Sequence, residues 1–251
     1  VPMRRIAPSW RMRWFRRRTR GVAGDDPPDD GHRDDSSDVR PDAPGTPDAT
    51  AGAPDAFDAL RAREWDRLAA PGTWLTGAER VRIATEARRA MRGGSPEPLP
   101  PVIVEAAHRV AVAAATIRPA DLERWAAEGL DEWSYVELVG IVGRLSALDV
   151  AAFGLGRPAA DLPDARRGDP SKIRAEGAST SDGWVPTVGG ASAISALSAV
   201  PPEHEALSDT HGVLYLELEQ MGSNDVVRDG LTRPQMELVA ARTSYLNACV
   251  Y

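Results

Sequence analysis

Apolar positions recur at helical spacing along most of the chain from residue 56 onward. Phe57, Leu60, Trp65 and Leu68 lie three to five residues apart, so order is expected to begin near Ala56 with a helix. Thr76-Gly-Ala-Glu79 reads as a capping box, in which the Thr76 hydroxyl accepts a backbone N–H and Glu79 reaches back. The helix it opens runs to Met91 and puts Val81, Ala84, Ala87 and Met91 on one face. Val102 to Ala115 reads as a second apolar helix, and Pro119 to Glu128 as a third, ended by Gly129. The longest run, Trp133 to Phe153, is stopped by Gly154 and Pro158. Its apolar content is nearly continuous, which places it at the centre. Gly140, Gly143 and Ala147 would let another helix approach it closely, a packing feature that implies no ligand. Helical character returns at Pro202 to Met221 and, after a short turn, in a final helix from Leu231 to Leu246. The pattern predicts an all-α fold of paired helices.

Between these runs the composition changes. Residues 159 to 190 are rich in Pro, Gly, Asp and Ser and read as a linker, extending to 200, with Trp184-Val-Pro as a docking point. Residues 21 to 56 hold ten aspartates, six prolines and five glycines. Such a stretch cannot bury enough surface to offset its ordering entropy, so it is expected to be disordered. Residues 1 to 20 carry eight arginines and no acid and read as a solvated basic tail or as translated upstream DNA. With 30 basic and 37 acidic residues in all, residues 21 to 251 carry 22 against 37, a balance of −15. That acidity argues against a nucleic-acid surface. No apolar run is long enough for a signal-peptide core or a transmembrane helix. A single cysteine excludes an internal disulfide framework, and a cytoplasmic protein is the expectation.

Several motifs are weak. His204-Glu205…His211 does not have the spacing of a zinc pair on one helical face, and both histidines read as surface residues. His108, in an apolar helix, reads as a satisfied core histidine. Gly154-x-Gly156 follows a helix, whereas a dinucleotide-binding loop follows a strand. No metal or cofactor is expected.

One internal echo stands out. Leu75-Thr-x-x-Glu-x-x-x-Ile-Ala84 matches Leu231-Thr-x-x-Gln-x-x-x-Val-Ala240, 156 positions on, and both begin with a Thr-x-x-Glu/Gln capping arrangement. The first copy continues without cysteine. The second leads through Tyr245-Leu-Asn247-Ala-Cys249, whose cysteine is the only one in the chain.

The text from Leu231 to Cys249 resembles the active-site helix of the AhpD-like alkylhydroperoxidase and carboxymuconolactone decarboxylase family. The resemblance covers the last 21 residues well and the region 57–158 more loosely. It implies an all-α tandem protein. Residues 1–56 would be a tail, 57–158 a cysteine-free first domain, 159–200 a linker, and 201–251 the start of a second domain. The implied activity is thiol-dependent reduction of alkyl hydroperoxides by a Cys-x-x-Cys pair, with a hydroperoxide substrate, a thiol reductant and a homo-oligomeric assembly. In the family a glutamate twelve residues before the first cysteine begins the proton relay, which falls on Glu237. Cys249 would be the resolving thiol, and Asn247 an N-cap for the helix that carries it.

The attacking cysteine of that signature falls directly after Tyr251, and its relay histidine four positions further. On this reading the polypeptide as given is incomplete and inactive. A record cut at the edge of sequenced DNA, a real stop, and a UGA codon for selenocysteine read as termination all remain open. Two other readings stand beside the peroxidase. One is a lactone decarboxylase, the branch without the redox cysteines. The other is a non-catalytic helical interaction module.

Overall fold

The computed structural model describes residues 55–95, 100–181 and 183–246. The basic and acidic tail expected at 1–56 lies almost wholly outside them, as do Asn247, Ala248 and Cys249. Among the described residues the chain is mostly helical, with two strands of two residues each. No described helix is long and apolar enough to cross a membrane.

Helix α1 spans Ala56–Ala69 and is capped by Asp55, whose carboxylate accepts the Phe57 N–H at 2.7 Å. Helix α2, Gly77–Met91, opens on the expected capping box: Glu79 N–H donates to the Thr76 hydroxyl, and Thr76 N–H donates to the Glu79 carboxylate at 2.8 Å. Helices α3 (Val102–Ala113), α4 (Pro119–Ala127) and α5 (Glu132–Gly154) follow. At the end of α4, Gly129 takes φ +104°, and Leu130 N–H reaches back to the Trp125 carbonyl at 2.8 Å. This is a Schellman stop, with Leu130 and Trp125 buried in the same core. The stop of α5 is not Gly154, which is still helical. Gly156 takes the left-handed conformation at φ +70°, and Arg157 N–H bonds the Ala152 carbonyl at 2.8 Å. A side chain is tolerated poorly at that φ, which is why the second glycine of Gly154-x-Gly156 ends the helix.

Helix α6 covers Pro201–Leu214 and stops seven residues earlier than the apolar pattern suggests. A hairpin accounts for the stop. Strands β1 (Val227–Arg228) and β2 (Leu231–Thr232) pair antiparallel around Asp229-Gly230, both with positive φ (50° and 81°). Two such residues make the tight turn whose twist matches the strands. The turn aims the Arg228 guanidinium at the end of α6, where it donates to the carbonyls of Gly212, Val213 and Tyr215. Those are the carbonyls that a helix end leaves without partners. Helix α7, Arg233–Leu246, follows β2 directly.

Helix α5 is central, as its apolar content implies. Its Leu138, Ile141, Val142 and Leu145 pack with Leu75, Ile83, Ala87, Ala107 and Trp125. Its far end, Leu148 and Ala152, closes on Phe57 and Leu60 of α1. Its first turns, Trp133 and Val136, pack with Trp74, Leu197, Ala199 and Val200.

Residues 159–200, read as a linker, run along these helices. Arg166 N–H bonds the Ala69 carbonyl at 2.7 Å, Ser171 N–H the Gly72 carbonyl at 3.1 Å, and Lys172 N–H the Thr73 carbonyl at 2.8 Å. The Lys172 ammonium sits over the Trp74 ring at 5.1 Å, and Arg174 over Trp133 at 4.9 Å. The segment docks through Val185 and the buried Pro186, while Trp184 itself remains 56% exposed. Helix α6 packs on α1 and α5, within the same compact unit as the helices before it.

The glycines of α5 have different surroundings. A Cβ on Gly140 would lie 2.4 Å from Glu203 Oε2 and 3.0 Å from Arg144, whereas one on Gly143 would meet nothing within 4 Å. Gly140 therefore provides the close approach to α6, and Gly143 faces open space. Gly140→Ala should lower unfolding free energy by about 1–3 kcal/mol through overpacking. Gly143→Ala should raise it by up to ~1 kcal/mol through helix propensity. Urea unfolding of the two variants measures the contrast.

Candidate functional site

The charged residues within apolar α5 lead to a buried ionic cluster. Glu137 and Arg144 have almost no exposed surface, and an unpaired charge in such a place costs several kcal/mol. Both are paired. Arg144 Nε donates to Glu64 of α1 at 2.7 Å, and Arg144 Nη2 lies 2.6 Å from Glu203 of α6. Arg80 of α2 bonds Glu203 at 2.9 Å and also Glu137. Glu137 accepts the Trp74 backbone N–H at 2.6 Å. Three carboxylates and two guanidiniums, all buried, thus join α1, α2, α5 and α6. Gly72 leaves room for the cluster, since a Cβ there would fall 1.8 Å from Glu137 Oε1. Arg67, partly exposed, adds a third cation at Glu64 and also bonds Asp209 at 2.8 Å.

The two ends of the cluster titrate in opposite directions. Burial pushes the Glu137 carboxyl up, the Arg80 charge offsets this only in part, and the neighbouring Glu203 charge adds to the rise. Burial acts on Glu203 in the same sense, but the guanidiniums of Arg144 and Arg80 outweigh it and hold Glu203 below the usual carboxylate range. The adjoining cavity, lined by Glu64, Arg80, Arg144 and apolar side chains, measures about 20 Å³, too small for a substrate. The cluster is therefore structural. Its sequence signal is charge within an apolar helix: Glu137, Arg144 and Asp149 interrupt α5, and Asp149 is held by a fork of two bonds from Arg88, at 2.8 and 2.7 Å.

The residues singled out by resemblance lie on α7. Cys249 is outside the described residues. Glu237, one turn into α7, accepts a hydrogen bond from the Tyr215 hydroxyl and pairs with Arg233 at 2.8 Å. Arg233 also lies over the Tyr215 ring at 5.7 Å. Slight burial and the bond to Glu237 both push the Tyr215 phenol up. Thr232 opens α7 through its N–H and hydroxyl, which donate to the Gln235 side chain at 2.8 and 2.9 Å. Other side chains of α7 are apolar and open: Leu238 is 72%, Val239 63% and Tyr245 73% exposed.

The histidines differ in place. His108 Nδ1 lies 2.7 Å from Glu86, a satisfied, half-buried pair. His204 and His211, read as surface residues, are half-buried. His211 bonds the Leu216 carbonyl and meets the Tyr215 ring edge-on at 5.3 Å, helping to shape the α6 exit. Among the described residues no group of His, Cys, Asp or Glu is placed to hold a metal ion. No family model matches the chain, and neither a curated protein nor a solved structure matches it.

Two outcomes follow from the cluster. An acid whose folded pKa stands above its ordinary value of 4.5 binds extra protons in the folded state. Its contribution is complete below pH 4.5 and is lost as pH rises through the raised value. The stability of the wild type relative to Glu137→Gln should therefore fall as pH rises above 4.5, as read by urea midpoints across a pH series. Arg144→Leu, which leaves Glu64 to Arg67 alone and Glu203 to Arg80 alone, should cost about 3 kcal/mol in the same measurement at pH 7.

Proposed function

We propose that this chain belongs to thiol-dependent hydroperoxide reduction of the AhpD-like kind, with Glu237 and Cys249 as its contribution to the site. What carries the reading is the text Leu231-Thr…Glu237…Asn247-Ala-Cys249, with its glutamate twelve residues ahead of the cysteine. The surroundings of Glu237 support it. A carboxylate that accepts from a phenol and is balanced by Arg233 has a partner for the proton it takes up and gives back.

The chemistry assigns each group a task. A thiolate attacks the peroxide O–O bond, the alkoxide leaves with a proton from the relay, and the sulfur becomes a sulfenic acid. A second thiol displaces water from that sulfenic acid and closes a disulfide, which an external dithiol reduces. Cys249 is the resolving thiol of this scheme. Glu237 accepts and returns the proton. The tandem AhpD-like organisation, with a cysteine-free part at 57–158, belongs to the same proposal, as does assembly into homo-oligomers.

The exposed Leu238, Val239 and Tyr245 favour a second reading, a helical module that binds a partner through α7. One experiment separates the two. A cysteine is added directly after Tyr251 with a histidine four positions further, and dihydrolipoamide-dependent loss of cumene hydroperoxide is followed. The enzyme reading expects turnover that falls at least ~tenfold in Cys249→Ser and in Glu237→Gln. Turnover unchanged by Cys249→Ser, or none at all in the extended chain, leaves the interaction module.

A further inference from the structure

A cavity of about 410 Å³ lies between the first half of α5, Leu122 of α4 and the segment 183–197. Val136, Val139, Val185, Ala196 and Leu197 form much of its wall. None of the described side chains that line it is charged. The volume falls in the range of small-molecule sites, which are mostly apolar with a few placed polar groups. Trp184, exposed to 56%, also lines this space, which gives a large exposed aromatic a reason to be there.

Thr187 and Ser192 are polar members of the described lining, and a third is Tyr135. Burial pushes its phenol up to about 12, with the Arg109 charge opposing and the Asp121 charge adding to the shift. It is thus a neutral donor at any physiological pH. Its ring rests against Trp125 at 5.6 Å, and its hydroxyl makes no hydrogen bond to any described residue. A half-buried donor with no protein partner gains a bond when a ligand in the cavity supplies an acceptor.

We propose that this cavity binds a small, uncharged, largely hydrocarbon molecule carrying one oxygen acceptor, a ketone or ether, which the Tyr135 hydroxyl bonds. A charged ligand would lose its hydration against the described lining, which holds no charged side chain. The site rests on α5 and the segment 183–197, and owes nothing to Cys249 or Glu237.

The test is equilibrium binding of acetophenone and of ethylbenzene, which share a ring and differ in the acceptor. Acetophenone should bind saturably at one site, about five- to tenfold more tightly than ethylbenzene. Tyr135→Phe should remove that preference while ethylbenzene affinity holds. Val139→Phe and Ala196→Phe, which fill the cavity from opposite walls, should each abolish binding. Circular dichroism and melting establish that each variant is folded, and either folded variant decides the point. Absence of saturable binding, binding that survives a filling variant, or equal affinities of ketone and hydrocarbon in the wild type would each overturn the proposal.

Discussion

The carboxylate of Glu203 sits where α2, α5 and α6 meet, and the rest of the packing is arranged around its neutralisation. Arg80 and Arg144 reach it from two different helices, and each carries a further carboxylate, Glu137 and Glu64. Removing five charges from water is costly, and their attraction repays that cost only when the geometry is good. A one-residue rotation of α5 would withdraw Arg144 from both partners and bring a side chain, instead of Gly140, against Glu203. The cluster thus discriminates among helix registers more than it adds net stability, since apolar replacements of such groups are often neutral. Its imbalance, three buried carboxylates against two guanidiniums, is eased at one edge by Arg67 and at the other by the raised affinity of Glu137 for a proton.

The segment 159–200 has little regular structure of its own, yet its backbone is tied to the turn between α1 and α2. That turn is itself pinned, because Glu137 takes the Trp74 N–H. Lys172, with φ +57°, bonds the Thr73 and Trp74 carbonyls through its N–H and ammonium. The same strap carries Arg174 onto the Trp74–Trp133 pair and leads on to Val185 and Pro186. The cavity has one wall from this segment and another from α5.

Helix α7 has a different character. Its ties to the body run through Arg233, Met236 and the Tyr215–Glu237 bond, and much of its apolar surface is open. A catalytic role for Glu237 and a docking role for Leu238 and Val239 are compatible with one helix, since the side chains fall at different angles around it. The proton chemistry proposed for Glu237 needs Tyr215 held close, and Arg228 secures that residue by capping the carbonyls at the end of α6.

The helices were legible in the sequence because their signals are local. The Thr76–Glu79 box, the Gly129 stop and the apolar stripe from Phe57 to Leu68 all act within a few residues, through hydrogen bonds and periodic burial. The all-α class and the central place of α5 follow from these. The resemblance at Glu237 and Cys249 is likewise a matter of spacing along the chain. What only the tertiary structure decided is which charges meet. Glu64 finds Arg144 eighty positions away, Arg80 finds Glu203 across 123, and Tyr215 finds Glu237 across 22. The stop of α6 was hidden for the same reason, as Arg228 arrives from a hairpin fourteen residues beyond Leu214. Periodicity reports which face of a helix is buried, but a charge on that face is satisfied by whichever partner the fold brings within 3 Å, and no local pattern encodes that partner.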